Sequence, residues 1–128
     1  MNTTLWILQG LLAFIMFLAG FMKLTNSNSE LIKKGNGRMD WAQNVSGTQI
    51  KLIGLLEALA AFGLILPHLL GIIPMLTPLA AIGVMLTMFG ALSLHLKRGD
   101  EAKAFIVNIC ILFIAGFVAY GRLALVPA

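Results

Sequence analysis

Charge is what this sequence has least of. Only 11% of its 128 residues are Asp, Glu, Lys or Arg, about half the share of a typical soluble domain. A soluble domain of this size has more surface than core, and nine basic and five acidic side chains do not cover it. With 59% hydrophobic residues, the chain is neither an ordinary soluble enzyme nor a disordered segment. Cysteine is almost missing too. Cys110 stands alone inside an apolar run, so no intramolecular disulfide and no CxxC motif exists. No Gly-rich phosphate loop and no convergent Ser-His-Asp set is present. An independent catalytic activity is not expected. The formal charge of +4 does not indicate a nucleic-acid partner, because the basic residues stand between long apolar runs.

Those runs cover roughly Thr4 to Leu24, Leu52 to Leu70, Met75 to Leu96 and Ala104 to Leu123. Each approaches the ~20 residues that a helix needs to cross a hydrocarbon core. None alternates every second residue as a membrane strand does. Backbone groups in lipid must pair within their own segment, so the runs read as helices. The expectation is an all-α membrane protein: a four-transmembrane-helix bundle with a long loop between helices 1 and 2, one domain over residues 1–128. The first run has no basic stretch before it and is longer than the apolar part of a signal peptide, so it reads as a retained helix. The long connection, Thr25 to Lys51, is rich in Asn, Ser, Gly and charge and encloses MDWAQNVS. Two readings of it stand: a short interfacial helix anchored by Trp41, or a solvated loop.

Basic residues orient the chain. Lys23, Lys33, Lys34, Arg38 and Lys51 belong to the first connection, and Lys97, Arg98 and Lys103 to the third, against Arg122 alone on the other side. The positive-inside rule then places both basic connections in the cytoplasm and both termini outside. On that side the Asn44-Val45-Ser46 sequon meets no glycosylation machinery.

Small residues mark helix contacts in lipid, where apolar burial gives no net drive. Steps of three and four place such residues on one face of each helix, and each face includes polar groups. They are Gln9, Ala13, Met16, Gly20 and Lys23 on helix 1, and Gly54, Glu57, Ala58 and Ala61 on helix 2. Helix 3 offers Ala80, Gly83, Thr87, Ala91 and His95, and helix 4 offers Asn108, Leu112, Ala115, Ala119 and Arg122. Lys23, Glu57, His95 and Asn108 all fall toward the cytoplasmic ends of their helices, so a shared polar layer is expected. A membrane carboxylate is a functional-site hypothesis by default, with Lys23 its first partner and His95 its second. Plainer readings stand beside this one. Lys23 snorkels to the headgroups, His95 is interfacial, Asn108 bonds a neighbouring backbone, and a Glu57–Lys23 pair only joins two helices. At the other end, Arg122 and Tyr120 read as an outer-face anchor, with Gln9 also polar there. His68 and His95 belong to opposite sides, so no metal site is expected, and the seven Met residues read as gap-fillers.

The order of segments resembles the DoxX-like family of small four-helix bacterial membrane proteins. The resemblance rests on FLAGFMKL, MDWAQNVS, KLIGLLEALAAFGLILP, LTPLAAIGVMLTMFGALSLHLKRGD and FVAYGR, which together span most of the chain. It implies a bacterial cytoplasmic membrane and an association with quinol- or thiosulfate-linked respiratory complexes, thiol and oxidant defence, or assembly and cargo roles. Its polar positions match Lys23, Glu57, His95 and Arg122, with no catalytic role attached. The function expected is an accessory or quinone- or lipid-binding subunit of membrane redox metabolism. The bilayer, a membrane redox protein and a second copy of the chain are its expected partners, and a quinone is the cofactor to test. The alternatives are a small proton-coupled exporter and a membrane assembly factor.

Overall fold

The computed structural model describes residues 1–35, 39–100 and 102–126, without the side chains of residues 103 and 104. Two of the basic residues counted for orientation, Arg38 and the side chain of Lys103, lie outside that description. All the regular structure described is helical. Helix α1 runs Asn2–Thr25, the short α2 Asn28–Gly35, α3 Gly47–Leu70, α4 Leu76–Arg98 and α5 Ala102–Tyr120. A π-helical turn, Gly121–Leu125, prolongs α5. Four helical segments are long and apolar enough to cross a membrane: Asn2–Thr25, Gly47–Leu70, Leu76–Arg98 and Phe105–Leu125. At ~1.5 Å per residue each exceeds the ~30 Å of a hydrocarbon core.

Local sequence sets the ends. Ser46 and Gln49 form a capping box that starts α3: Gln49 N–H donates to Ser46 Oγ and Ser46 N–H to Gln49 Oε1, both at 3.1 Å. Helices α3 and α4 stop at Gly71 and Gly99, whose φ of 68° and 71° fall in the left-handed region that glycine enters without penalty. Pro67 lies inside the last turns of α3 and has no N–H for the carbonyl of Gly63. Thr77 supplies the missing donor from α4, its Oγ1 donating to Gly63 O at 3.1 Å. A proline that weakens one helix is thus tied to the next.

The four long helices pack in sequence order: α1 against α3, α3 against α4, α4 against α5, and α5 back against α1. Leu12, Met16, Leu64, Val84, Ala115 and Val118 are among the fully buried side chains of the core. Phe14, Leu59, Leu86 and Phe113 point outward, forming part of the surface that meets lipid.

Two expectations are corrected here. The connection after α1 is not a long loop: α2 and a 3₁₀ turn, Asp40–Asn44, occupy much of it. Its few apolar residues are the reason. Leu31, Ala42 and Ile50 have no exposed surface and make a second small core, with Trp41 and Val45 packed on it. Asn28 Nδ2 ties α2 to the turn by donating to the carbonyls of Ala42 at 3.2 Å and Val45 at 2.7 Å. The other correction concerns the inward face of α4. It carries Thr77, Ala81, Val84, Met88 and His95, whereas Gly83 is exposed and Ala80, Thr87 and Ala91 are half-buried. The face is turned by about one residue, because larger Val and Met side chains, not the small ones, fill that contact.

A close backbone approach joins α1 and α3. A Cβ at Gly20 would stand 2.5 Å from Gly54 O and 2.8 Å from Ala58 N, both backbone atoms that cannot step aside. Gly20→Ala is therefore expected to cost about 1–3 kcal/mol by forcing the helices apart. Gly10→Ala, with nothing within 4 Å, is the control and should leave thermal unfolding in detergent unchanged or slightly raised. Equal melting temperatures for the two variants would contradict this account of the crossing.

Candidate functional site

The Gly20–Gly54 approach sets the position of Glu57, the only carboxylate among the described residues that is buried in the bundle interior. One turn further along α1, Lys23 Nζ lies 2.7 Å from Glu57 Oε1, and the two side chains are 10% and 4% exposed. The backbone around Lys23 is held as well. The last carbonyls of a helix have no intrahelical donors. Lys51, the fifth residue of α3, turns back onto these: Nζ donates to the carbonyls of Lys23 and Leu24 at 3.0 Å and Asn26 at 2.8 Å. An ammonium has three protons, and here each finds an acceptor. Lys34 Nζ adds a bond to Asn26 Oδ1 at 2.6 Å. The face of Trp41, from the 3₁₀ turn, lies 5.8 Å from Lys23 Nζ and supplements the pair with a cation–π contact.

His95 approaches from α4. It is buried, and its Nδ1 lies 2.7 Å from Asp100 Oδ2, a contact that orients the ring. Arg98 Nε donates to both oxygens of Asp100, at 3.3 and 3.1 Å, and Arg98 Nη1 donates to Asn44 Oδ1 on the 3₁₀ turn. The hydrogen bond from His95, with help from Arg98, holds the Asp100 carboxyl below the usual carboxylate range. Asn108, half-buried on α5, completes the set.

A cavity of about 570 Å³ lies among these groups. Lys23, Trp41, Glu57, His95 and Asn108 contribute to its wall, and most of the rest is apolar, with Met16, Ile53, Met88, Leu94 and Ile111 among the lining residues. All four long helices therefore bring polar side chains to a single chamber: Lys23, Glu57 and Asn108 from α1, α3 and α5, and both Thr87 and His95 from α4. Lys23 and Glu57 meet directly, His95 is held by Asp100 rather than by Glu57, and Asn108 lines the wall. Among the described residues no three His, Cys, Asp or Glu side chains gather as metal ligands.

The opposite end of the bundle holds a second polar group. Gln9 joins three helices: its Nε2 donates to Leu64 O of α3 at 2.7 Å, and its Oε1 accepts from Arg122 Nε at 2.5 Å. Arg122 Nη1 donates to Asn2 Oδ1 at 2.8 Å and to Val126 O at 3.3 Å. The expectation of an anchor formed by Arg122 and Tyr120 is corrected by this geometry. Arg122 is 2% exposed and faces the interior, while Tyr120 is on the outer surface. The reason lies in helical spacing, because Arg122 continues the inward face of Ala115 and Ala119.

Several groups that build the first site escaped sequence reasoning. Lys51, Asp100 and Arg98 act through contacts between elements, which leave no local mark. The fold of α2 did leave one: Ser27 and Glu30 form a capping box, with Ser27 N–H donating to Glu30 Oε1 at 3.0 Å and Glu30 N–H to Ser27 Oγ at 3.3 Å.

Four apolar membrane-length helices around an interior chamber, apolar but for a few polar side chains, define a multi-pass integral membrane protein. Its family is the DoxX-like family, whose profile matches residues 7–118, and the chain belongs to it. No curated protein and no solved structure matches the chain.

Breaking a buried pair from one side leaves a lone interior charge, so Lys23→Met or Glu57→Ala alone is expected to cost about 3–5 kcal/mol. The double variant Lys23→Met with Glu57→Leu removes both charges and should recover most of that loss. Thermal unfolding of the three variants in one detergent measures the coupling, and strictly additive losses would contradict it. For Asp100 the sign follows from its lowered value. Its stabilising contribution is fully present above the ordinary value of 3.8 and is lost as pH falls through the lower folded value. Asp100→Asn should therefore lessen the acid sensitivity of unfolding, and an unchanged acid profile would count against the His95–Asp100 contact.

Proposed function

We propose that this protein is a non-enzymatic membrane subunit that holds an apolar ligand with a hydrogen-bonding head, of the quinone or lipid class, for membrane redox metabolism. The observation that carries the reading is the chamber itself. Its volume falls within the range of small-molecule sites, and its wall is apolar with a few polar groups gathered among its residues. A quinone ring needs a donor near each carbonyl. The Lys23 ammonium and the Asn108 amide supply donors from α1 and α5, with Glu57 holding Lys23 in place. The apolar wall suits the isoprenoid tail. Membership in the DoxX-like family is consistent with such a role.

In this reading residues 1–128 form one integral membrane domain of the bacterial cytoplasmic membrane. The chamber lies toward the cytoplasmic face, where the basic connections are, and both termini are outside. A redox partner protein takes up the ligand or its electrons, and a second copy of the chain packs on the outer helix faces. A proton-coupled exporter has less support, because the carboxylate that would exchange protons is already engaged by Lys23.

The test is the small-molecule content of protein purified in a mild detergent, read by mass spectrometry of an organic extract. The wild type should carry a quinone or lipid in stoichiometric amount. Glu57→Gln, checked for an unchanged elution volume, should carry at least about tenfold less, as expected on losing a charge-assisted contact. An empty wild type, or equal content in the variant, would overturn the reading.

A further inference from the structure

Among the described residues, Arg122 is a buried cation with no carboxylate beside it. The five acidic residues of the chain are Glu30 and Asp40 in the first connection, Asp100 and Glu101 in the third, and Glu57, which is paired with Lys23. Among the described residues, none forms an ion pair with Arg122. Its hydrogen-bond partners, Gln9 Oε1, Asn2 Oδ1 and Val126 O, are all neutral. They occupy Nε and Nη1 and leave Nη2 buried without an acceptor. A charge removed from water and left uncompensated is the costly arrangement, more so at a membrane depth.

A second orphan lies close by. Trp6 joins the two: Arg122 Cζ lies 5.4 Å from its ring centroid, and the His68 ring meets it edge-on at 5.0 Å. His68 Nδ1 is also buried without a partner. One acceptor that is anionic and has several oxygens would answer both vacancies. A guanidinium fork matches such an oxyanion, offering two parallel N–H donors. Arg122 belongs to the last turns of the fourth span, the level at which lipid phosphates lie.

We propose that Arg122, with His68 as second contact, binds a phosphate oxyanion at the end of the bundle away from the chamber. The headgroup phosphate of an anionic glycerophospholipid and free inorganic phosphate share this chemistry. The site is separate from the chamber, and Asn2, Trp6 and Arg122 fall outside the stretch that matches the family.

The test uses the full chain, delipidated in detergent, with thermal unfolding and native mass spectrometry as readouts. The probes are phosphatidylglycerol, diacylglycerol as the same lipid body without phosphate, and inorganic phosphate with chloride as its control. Binding of phosphatidylglycerol in preference to diacylglycerol, weakened about tenfold in Arg122→Gln and less in His68→Gln, assigns the site to a lipid headgroup. Stabilisation by inorganic phosphate that depends on Arg122, with no gain from the lipid, assigns it to a free anion. Because Arg122→Gln also removes the bond to Gln9 and can fail to fold, Arg122→Lys and His68→Gln provide the same comparison in gentler form. A wild type that does not distinguish phosphatidylglycerol from diacylglycerol, or phosphate from chloride, overturns the proposal. So does a phosphate preference that is equal in the wild type and in every folded variant.

Discussion

Glu57 near the middle of α3 is a charge in a place where charge is expensive, and much of the surrounding structure serves to keep Lys23 beside it. Two glycines let the backbones of α1 and α3 touch, which brings Lys23 within reach. Lys51 ties down the carbonyls that end α1, so the last turn cannot fray and carry Lys23 away. Trp41 lies over the ammonium, and its own turn is fastened through Asn44 to Arg98 at the end of α4. The chamber is lined in part by this pair, so its polar wall has the stability of the α1–α3 contact behind it.

The two ends of the bundle solve the problem of interior polarity differently. At one, opposite charges meet directly and a second acid, Asp100, orients His95. At the other, Gln9 distributes an amide over three helices and gives Arg122 a neutral acceptor. Hydrogen bonding satisfies Arg122 Nε and Nη1 there but not Nη2, and it does not cancel the charge. That difference separates a site organised by its own ion pair from one whose electrostatics remain open.

The spans were legible because lipid imposes long apolar runs that no soluble fold needs. The inward face of α1 was legible too: Gln9, Ala13, Met16, Gly20 and Lys23 are all buried, since small and polar residues on an otherwise bulky helix have nowhere else to go. The same reasoning misjudged α4. Its small residues are spread around the helix, and Val84 and Met88 fill the contact instead. The fold between α1 and α3 was hidden by its polar composition, although the Ser27–Glu30 box announced a helix start. Arg122 was placed on the inward face by spacing yet read as an anchor because it stands near a helix end beside Tyr120. Contacts such as Lys51 with the end of α1 depend on tertiary geometry, and no local pattern encodes them.

The Lys23–Glu57 pair also bears on how the chain enters the bilayer. A helix carrying Glu57 alone must protonate it or bear the cost of a naked carboxylate, on the order of a few kcal/mol. The first two spans are consecutive in the chain, and their contact is the most extensive between any two helices. Partitioning as a preassembled helical hairpin, with the opposite charges already joined, avoids that penalty where sequential entry does not. The hairpin is then the natural first unit of membrane folding, onto which the third and fourth spans assemble.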